Sequence, residues 1–329
     1  MRYVVIGFAH PHIDGAARAF RSLPGLELVG IADSNRQRLE ERQALYGVPA
    51  FEDYREMLER VKPDFAAISP VNAEKAAVVA ECAARGVHVF ADKPLYTRRP
   101  HVAVVEEAVR RYGIEVWAYL TVRYSPAYYA MKQRIDAGEI GEVVSIYSAG
   151  PHKLNLPTRT HEMLDAELNG GVLVDLGSHD FDVARWFTGR EPRDVVAQMS
   201  NRRFPQVANF YDNAQAFLRF DNGTVAYLEE SWLQPDASRF HDDRRTLVVG
   251  TLGTLEYRTC DSSLTMVTVS RGEESIPTVR PPKAILEDFV AALRGEGSGT
   301  LSTSESLASA RVGVFAHEAA ITGERVVIP

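Results

Sequence analysis

The first 120 residues alternate between short apolar runs and segments in which apolar residues recur three or four positions apart. Uninterrupted apolar runs are typical of strands buried on both faces of a sheet, and the wider spacing predicts amphipathic helices between them. Strands that alternate with helices indicate a parallel sheet with right-handed crossovers, which is the Rossmann arrangement. The predicted strands are YVVIGF (3–8), LELVGIAD (26–33), DFAAISP (64–70), HVFAD (88–92) and EVWAYL (115–120).

The pattern changes near residue 121. A helix is predicted over 131–141, followed by a strand over 143–150 and a further helix over 178–187. Several strand-like runs come next, separated by turn sequences such as DNG at 221–223. This succession of strands favours a largely antiparallel sheet.

These patterns predict an α/β protein of two domains, which a chain of 329 residues is long enough to form. Residues 1–120 are expected to form a Rossmann domain. Residues 121–329 are expected to form an α+β domain with a large, mainly antiparallel open sheet. Helical periodicity returns over 285–297 and 304–323, and the return of the C-terminal helix to the first domain is left open.

The turn after the first strand carries the first candidate chemistry. A full dinucleotide-binding fingerprint reads G-x-G-x-x-G, whereas this turn reads G-F-A-H-P-H from Gly7 to His12. Gly7 supplies the tight turn, and Ala9 is small enough for a pyrophosphate to approach the backbone. His12 takes the position of the third glycine, so this stretch alone leaves dinucleotide binding open.

Asp33 ends the second predicted strand, where an acidic side chain can bind the ribose hydroxyls of NAD. Ser34 and Arg36 follow, and a hydroxyl with a guanidinium could instead hold the 2′-phosphate of NADP. The structural alternative is that Asp33 only caps the next helix. NAD is therefore the predicted cofactor, and NADP is left open.

Two further stretches contain candidate reactive side chains. Lys93, in the motif D-K-P, lies just beyond the carboxyl end of a parallel strand, and a cis bond to Pro94 would fix the direction of its ammonium group. Asp175 and His179 are four residues apart and would share one helix face, where the imidazole can accept a proton near neutral pH. Asp182 is an alternative carboxylate. The structural alternatives are a solvated lysine and a core or capping histidine.

The order of these motifs resembles that of the Gfo/Idh/MocA oxidoreductases, which include glucose–fructose oxidoreductase and inositol dehydrogenase. The resemblance rests on the glycine turn, Asp33, S-P-V-N (69–72), D-K-P (92–94) and G-G-x-x-x-D-x-x-x-H (170–179), and it covers essentially the whole chain. It implies an NAD(P)-dependent dehydrogenase or reductase that acts on a CH–OH group of a sugar, cyclitol or related polyol. It also implies a homodimer or homotetramer formed through the second domain's sheet.

The resemblance also implies roles for individual residues. Lys93, Asp175 and His179 form the expected catalytic group, in which Lys93 contacts substrate and nicotinamide, Asp175 orients substrate and His179 accepts the hydroxyl proton. The expected cofactor-binding residues are Gly7, Phe8, Ala9, His10, His12, Asp33, Ser34, Arg36, Ser69, Pro70, Asn72, Asp92 and Lys93. The expected substrate-binding residues are Lys93, Arg123, Tyr124, His152, Lys153, Arg159, His161, Asp175 and His179.

No metal site is expected. His10 and His12 are one residue apart, but in a turn their side chains need not converge, and no cysteine or acidic pair lies nearby in sequence. Cys82 and Cys260 are far apart and indicate neither a disulfide framework nor a cysteine metal site.

Charge and hydropathy narrow the classes of partner. The chain has 37 Lys+Arg against 44 Asp+Glu, a net charge of −7, and a weakly acidic surface would repel nucleic-acid phosphates and anionic lipid. No apolar run approaches the ~20 residues of a membrane-spanning helix. The chain starts directly on a strand, so we expect a cytoplasmic protein with neither a nucleic-acid nor a membrane partner.

Two other functions are left open. One is a lyase or glycoside-cleaving enzyme that oxidises its substrate transiently and regenerates its NAD in every cycle. The other is a non-catalytic sugar- or nucleotide-sensing regulatory protein of the same fold. The altered glycine turn motivates the second alternative, whereas the three candidate catalytic residues argue against it.

Overall fold

A computed structural model describes residues 1–297 and 299–329. The chain divides into two compact units. Unit 1 consists of Met1–Tyr119 with Lys283–Leu307, and unit 2 consists of Leu120–Pro282 with Ala308–Pro329. Across the described residues, no helix combines the length and apolar character that crossing a membrane would need.

Unit 1 contains a parallel sheet whose strands alternate with helices. The strands are β1 (Arg2–Ile6), β2 (Glu27–Ala32), β3 (Ala50–Phe51), β4 (Phe65–Ile68), β5 (His88–Ala91) and β6 (Val116–Ala118). The helices between them are α1 (His12–Ser22), α2 (Arg36–Tyr46), α3 (Tyr54–Val61), α4 (Lys75–Ala83) and α5 (Arg99–Tyr112). The strand order is β3-β2-β1-β4-β5-β6, with all neighbours parallel. The predicted Rossmann arrangement is confirmed.

Unit 2 contains a second, larger sheet. Its helices are α6 (Pro126–Asp136), α7 (His161–Leu164), α8 (Ala166–Asn169), α9 (Gly171–Asp175) and α10 (Gly177–Thr188). Its strands include β7 (Val143–Pro151), β8 (Pro192–Ser200), β9 (Asn213–Phe220), β10 (Val225–Ser231), β11 (Arg245–Gly250), β12 (Gly253–Arg258), β13 (Ser263–Thr268) and β14 (Arg271–Ser275). Along β9 buried residues alternate with partly exposed ones, so one face of the sheet is covered and the other is not.

The C-terminal part supplies α11 (Ile285–Leu293), α12 (Thr303–Thr322) and β15 (Val326–Val327). The order of the second sheet is β14-β13-β12-β11-β7-β10-β9-β8-β15. Only β7 and β10 pair in parallel among its described neighbours, so the predicted mainly antiparallel sheet is confirmed. The helices α9 and α10 pack against β7, β9 and β10.

An aromatic cluster forms much of the core of unit 1. Phe289 of α11 lies at its centre, with ring centroids 6.3 Å from Phe20, 5.5 Å from Phe65, 5.2 Å from Phe90 and 5.6 Å from Trp117. All five side chains are fully buried. Because aromatic side chains bury the most apolar area per residue, this cluster fixes α11 to unit 1.

Candidate functional site

The turn between β1 and α1 depends on a close backbone approach. Gly7 has φ +78°, and a Cβ atom there would lie 2.4 Å from the Cα and N atoms of Pro70. The Gly7 N–H donates to the carbonyl of Ala32 (2.7 Å), and the Ala9 N–H donates to that of Ser69 (2.9 Å). The turn is therefore tied to the carboxyl ends of β2 and β4, and only glycine fits its first position.

A cavity of about 460 Å³ opens at these strand ends and is lined by Gly7, Asp33, Ser34, Arg38 and Pro70, among others. Its volume is within the usual range of ligand pockets. Open α/β sheets bind ligands at the carboxyl ends of their strands. Because the cavity combines a glycine turn with a carboxylate at the second strand, its residues fit one half of a dinucleotide.

Asp33 lies at the end of β2, as predicted, but its carboxylate already has several donors. It accepts hydrogen bonds from the backbone N–H groups of Phe8 (2.8 Å) and Asn35 (2.7 Å). The Nε and Nη2 atoms of Arg38 donate to it as well, both at 3.1 Å. Asp33 thus holds the glycine turn in place, while Arg38 covers the oxygens expected to bind ribose.

Arg38, next to Asp33, lines the cavity, whereas the predicted Arg36 is not among its lining residues. Asn35 caps α2, and Arg36 begins it with a 78% exposed side chain that pairs with Glu40. Arg38 is about 200° further around the helix, and it therefore faces the cavity. The prediction of Arg36 rests on its closeness to Asp33 in the sequence, whereas the helical repeat of α2 places Arg38 on the face towards the cavity.

The D-K-P segment follows β5. Asp92 and Lys93 are buried, and the bond between Lys93 and Pro94 is cis. The fully buried ammonium group of Lys75, at the start of α4, donates to the carbonyl oxygens of Asp92 (2.6 Å) and Pro94 (3.0 Å). Lys75 therefore holds the backbone on both sides of Lys93, a role that the sequence analysis missed.

The carboxylate of Asp92 contacts both histidines of the glycine turn. Its Oδ1 lies 3.2 Å from Nδ1 of His12, and its Oδ2 lies 3.4 Å from Nδ1 of His10. Ser69 Oγ donates to Oδ2 at 3.2 Å. Burial by itself would raise the pKa of Asp92, but the hydrogen bond with His12 and the charge of Lys75 outweigh it and hold the pKa well below its usual value. The site thus contains a buried anionic carboxylate, with each of its oxygens close to one imidazole.

The remaining predicted cofactor residues of unit 1 lie close to these groups in the chain. Phe8 is buried and contributes its backbone N–H to Asp33. Ser34 lines the cavity. Asn72 starts a short 3₁₀ turn, Asn72–Glu74, that connects β4 to α4.

In unit 2, Asp175 ends α9 and His179 lies in the first turn of α10. Leu176 between them has helical dihedral angles, φ −76° and ψ −45°, so the helical path continues and the two side chains share a face. Both are partly exposed, whereas the residues next to them in the chain are buried. The predicted pairing of a carboxylate and an imidazole on one helix face therefore fits the structure.

Trp232 brings together two of the predicted substrate residues. The Arg159 guanidinium lies 4.7 Å from the centroid of the Trp232 ring, and the His152 ring approaches that ring edge-on at 6.1 Å. Burial lowers the pKa of Arg159, and the nearby charge of Asp175 opposes this shift. Arg159 is thus a cation close enough to the candidate catalytic carboxylate for their charges to interact. Trp232 was not among the residues selected from the sequence.

Three other predicted substrate residues have different surroundings. The Lys153 ammonium donates to the carbonyl of Ser238. His161 is 80% exposed and lies 3.8 Å from Asp165. Tyr124 is half-buried at the end of a 3₁₀ turn, Thr121–Tyr124.

Arg123 is completely buried, which differs from the substrate contact expected from the sequence. Its Nε and Nη2 atoms donate to Asp182 at 2.6 and 2.7 Å, and its guanidinium lies 5.4 Å from the Trp186 ring centroid. Asp182 also accepts a hydrogen bond from Ser309 at 2.6 Å. The Asp182 carboxylate is already bound in this buried bidentate ion pair, so it is poorly placed to replace Asp175 as the carboxylate that orients substrate.

Comparison with known proteins matches two parts of the chain to models of one oxidoreductase family. Residues 1–119 match the family described as oxidoreductases with an NAD-binding Rossmann fold, and residues 128–256 match the GFO/IDH/MocA C-terminal domain. The chain is 29% identical over 261 residues to scyllo-inositol 2-dehydrogenase (NAD(+)) of Bacillus subtilis (strain 168), covering 78% of this chain and 73% of that protein. It is 27% identical over 210 residues to myo-inositol 2-dehydrogenase of Thermotoga maritima, covering 62% of this chain and 60% of that protein.

Solved structures share the fold along the whole chain. Aldose-aldose oxidoreductase from Caulobacter crescentus, complexed with glycerol, superposes with a TM-score of 0.83 at 18% identity and 99% coverage of both chains. Levoglucosan dehydrogenase in complex with NADH superposes with a TM-score of 0.82 at 20% identity, covering 100% of this chain and 99% of that one.

Proposed function

Since the chain belongs to the GFO/IDH/MocA family of oxidoreductases, we propose that it transfers a hydride between a nicotinamide cofactor and a hydroxyl-bearing carbon of a sugar, cyclitol or related polyol. The observation that carries this proposal is the glycine turn with its cavity and Asp33 at the second strand. The names of the inositol dehydrogenases to which the chain is similar support the substrate class.

The side chains of this protein perform the acid–base part of the reaction. His179 accepts the proton of the substrate hydroxyl, which is work suited to an imidazole near neutral pH. Asp175 orients the substrate and favours the imidazolium that forms, and Arg159 supplies a positive charge next to Asp175. Lys93 donates a hydrogen bond to the reacting oxygen and stabilises its developing negative charge. NAD, when bound, supplies the hydride acceptor.

The proposal is tested first by cofactor binding. Titration of the purified protein with NADH is expected to give energy transfer from tryptophan to the reduced nicotinamide. A screen of sugars, cyclitols and their acids with NAD and NADP, followed by absorbance of the reduced cofactor, then identifies the substrate. Failure to bind NADH at millimolar concentration would overturn the proposal. Formation of product without net formation of NADH would indicate instead an enzyme that oxidises its substrate transiently and regenerates its NAD.

Arg38→Ala is expected to change the choice between the cofactors. With Arg38 gone, the Asp33 carboxylate faces the cavity uncovered and repels the 2′-phosphate of NADPH. We expect the Kd for NADPH to rise up to about fivefold relative to that for NADH, the size of one solvent-screened charge contact. Fluorescence titration with both cofactors measures the ratio.

Arg36→Ala is the matched control for this substitution, because that exposed arginine pairs with Glu40 on the surface of α2. It should leave both dissociation constants unchanged. An Arg38→Ala protein with an unaltered NADPH-to-NADH ratio would contradict a role for Arg38 in cofactor choice.

The uncovered face of the second sheet supports the oligomer expected from the sequence. Val196, Tyr147 and Tyr227 are 43–45% exposed there. The two tyrosine rings stack at 5.0 Å, and Phe217 lies 4.7 Å from Tyr227. Because large exposed apolar patches on soluble domains mark contact surfaces, we propose a homodimer or homotetramer formed through this face. The proposal includes cytoplasmic localisation without a nucleic-acid or membrane partner, in line with the net charge of −7.

Tyr227→Glu is expected to convert the oligomer to a monomer, because it places a charge at the centre of the stacked rings. Sedimentation velocity measures the change in mass. Val269→Glu serves as the control, since this 80% exposed side chain lies outside the aromatic group and its replacement should leave the mass unchanged. A wild-type monomer, or an oligomer that survives Tyr227→Glu, would rule out this contact surface.

A further inference from the structure

We propose that His10, His12 and Asp92 form a binding site for one divalent transition-metal ion, of the zinc or cobalt class, at the turn between β1 and α1. The two histidines belong to the altered glycine turn, and Asp92 comes from the end of β5. One ligand atom from each residue lies within 4.8 Å of the other two.

The separations between the ligand atoms suit a metal ion. Nδ1 of His12 is 3.2 Å from one oxygen of Asp92, and Nδ1 of His10 is 3.4 Å from the other. Around tetrahedral zinc, with bonds of about 2.0–2.1 Å, neighbouring ligand atoms lie about 3.3 Å apart. The two His–Asp separations are close to this value, and all three ligand atoms lie within 4.8 Å of one another.

The types of ligand select the class of ion. Two imidazole nitrogens and one carboxylate oxygen suit zinc, cobalt, nickel or iron, whereas magnesium and calcium prefer ligand sets made entirely of oxygen. Three protein ligands leave at least one position for a further oxygen ligand, as in catalytic rather than structural zinc sites.

The surroundings of the three residues fit the same role. The His10 and His12 side chains are 26% and 47% exposed, so an ion can reach them from solvent, whereas the Asp92 side chain is only 1% exposed. Ser69 Oγ donates to the Asp92 carboxylate, and Lys75 holds the backbone carbonyl of Asp92. Such outer partners orient ligands in metal sites and affect metal affinity strongly.

The sequence predicts no metal at this turn, because no third ligand lies near His10 and His12 along the chain. The fold provides that ligand from a position 80 residues beyond His12. The alternative is that the two histidines only contact Asp92 and bind no ion. Measuring metal binding distinguishes this alternative from the proposed site.

The test uses full-length protein freed of metal by dialysis against a chelator. Isothermal titration with Zn²⁺ and visible absorption with Co²⁺ should show one ion bound per chain, with the Co²⁺ bands of a site of low coordination number. His10→Ala and His12→Ala should each weaken binding at least about tenfold. His241→Ala, which removes an exposed imidazole outside the cluster, should bind as the wild type does.

The double variant lacking both imidazoles should lose the Co²⁺ bands while keeping its circular dichroism spectrum. Equal affinity in the wild type and the double variant, or no binding by the wild type, would overturn the proposal. NADH titration of the same metal-free samples keeps this outcome separate from the proposed function, since NADH binding without metal binding would reject the metal site alone. Asp92→Asn extends the test to the third ligand. Thermal unfolding checks that this variant remains folded, because the Asp92 side chain is buried.

Discussion

Lys93→Met is expected to lower kcat by about 10²–10⁴-fold while the protein remains folded. Methionine keeps the length and apolar stem of the side chain but removes the ammonium group. Lys93 directly follows the buried Asp92 at the end of β5, and its backbone is held on both sides by Lys75. In the proposed reaction the Lys93 ammonium stabilises the negative charge that develops on the reacting oxygen, and the variant would lose that stabilisation.

Steady-state kinetics on the substrate found in the screen measures the effect, and thermal unfolding checks the fold. Lys62→Met is the control, because Lys62 is an exposed residue at the end of α3 and should leave both kcat and stability unchanged. If the Lys93→Met protein turned over at the wild-type rate, the D-K-P lysine would have no part in the chemistry.

Gly7→Ala is expected to abolish measurable NADH binding and to lower the free energy of unfolding. The left-handed conformation, with φ +78°, costs an alanine about 1–2 kcal/mol. In addition, the new methyl group would lie 2.4 Å from backbone atoms of Pro70. Backbone cannot rotate away as a side chain can, so the whole turn must shift and the cavity beside it must change shape.

Gly15→Ala is the matched control. Gly15 lies within α1, and a Cβ atom there would meet no neighbouring atom within 4 Å. Since alanine is favoured over glycine inside a helix, this variant should be more stable by about 0.5–1 kcal/mol and should bind NADH normally. Chemical denaturation and NADH titration measure both variants. Equal behaviour of the two would show that the turn tolerates a side chain at its first position.

The secondary structure was largely predictable, because buried parallel strands are uniformly apolar and the helices between them are periodic. The ends of elements were less so. The predicted strand over 64–70 stops at Ile68 in the structure, since Ser69 and Pro70 turn back towards Gly7. The helix predicted to start at 131 begins at Pro126, where a proline in the first turn was an available but unused signal.

The site was predictable only in part, because side-chain partners far apart in sequence leave no local pattern. Lys75 is a charged residue within an apolar helix, and only the fold reveals that it binds the carbonyls of Asp92 and Pro94. Trp232 resembles any other buried aromatic residue until the structure brings Arg159 onto its ring. Helix phase could have identified Arg38, which is the one omission that local geometry would have corrected.

β7 and β10 pair in parallel within the second sheet, and helices pack on one of its two faces. Strands that run in the same direction need a long connection between them, and here it includes α9 and α10, which cover one side of the sheet. Because side chains alternate between the two faces along a strand, neighbouring residues of β7 can have different surroundings. The hydroxyl of Ser148 donates to Asp180, next to His179, while Tyr147 points outwards. We therefore expect substitution of Tyr147 to affect the proposed subunit contact and substitution of Ser148 to affect the surroundings of Asp180, each independently of the other.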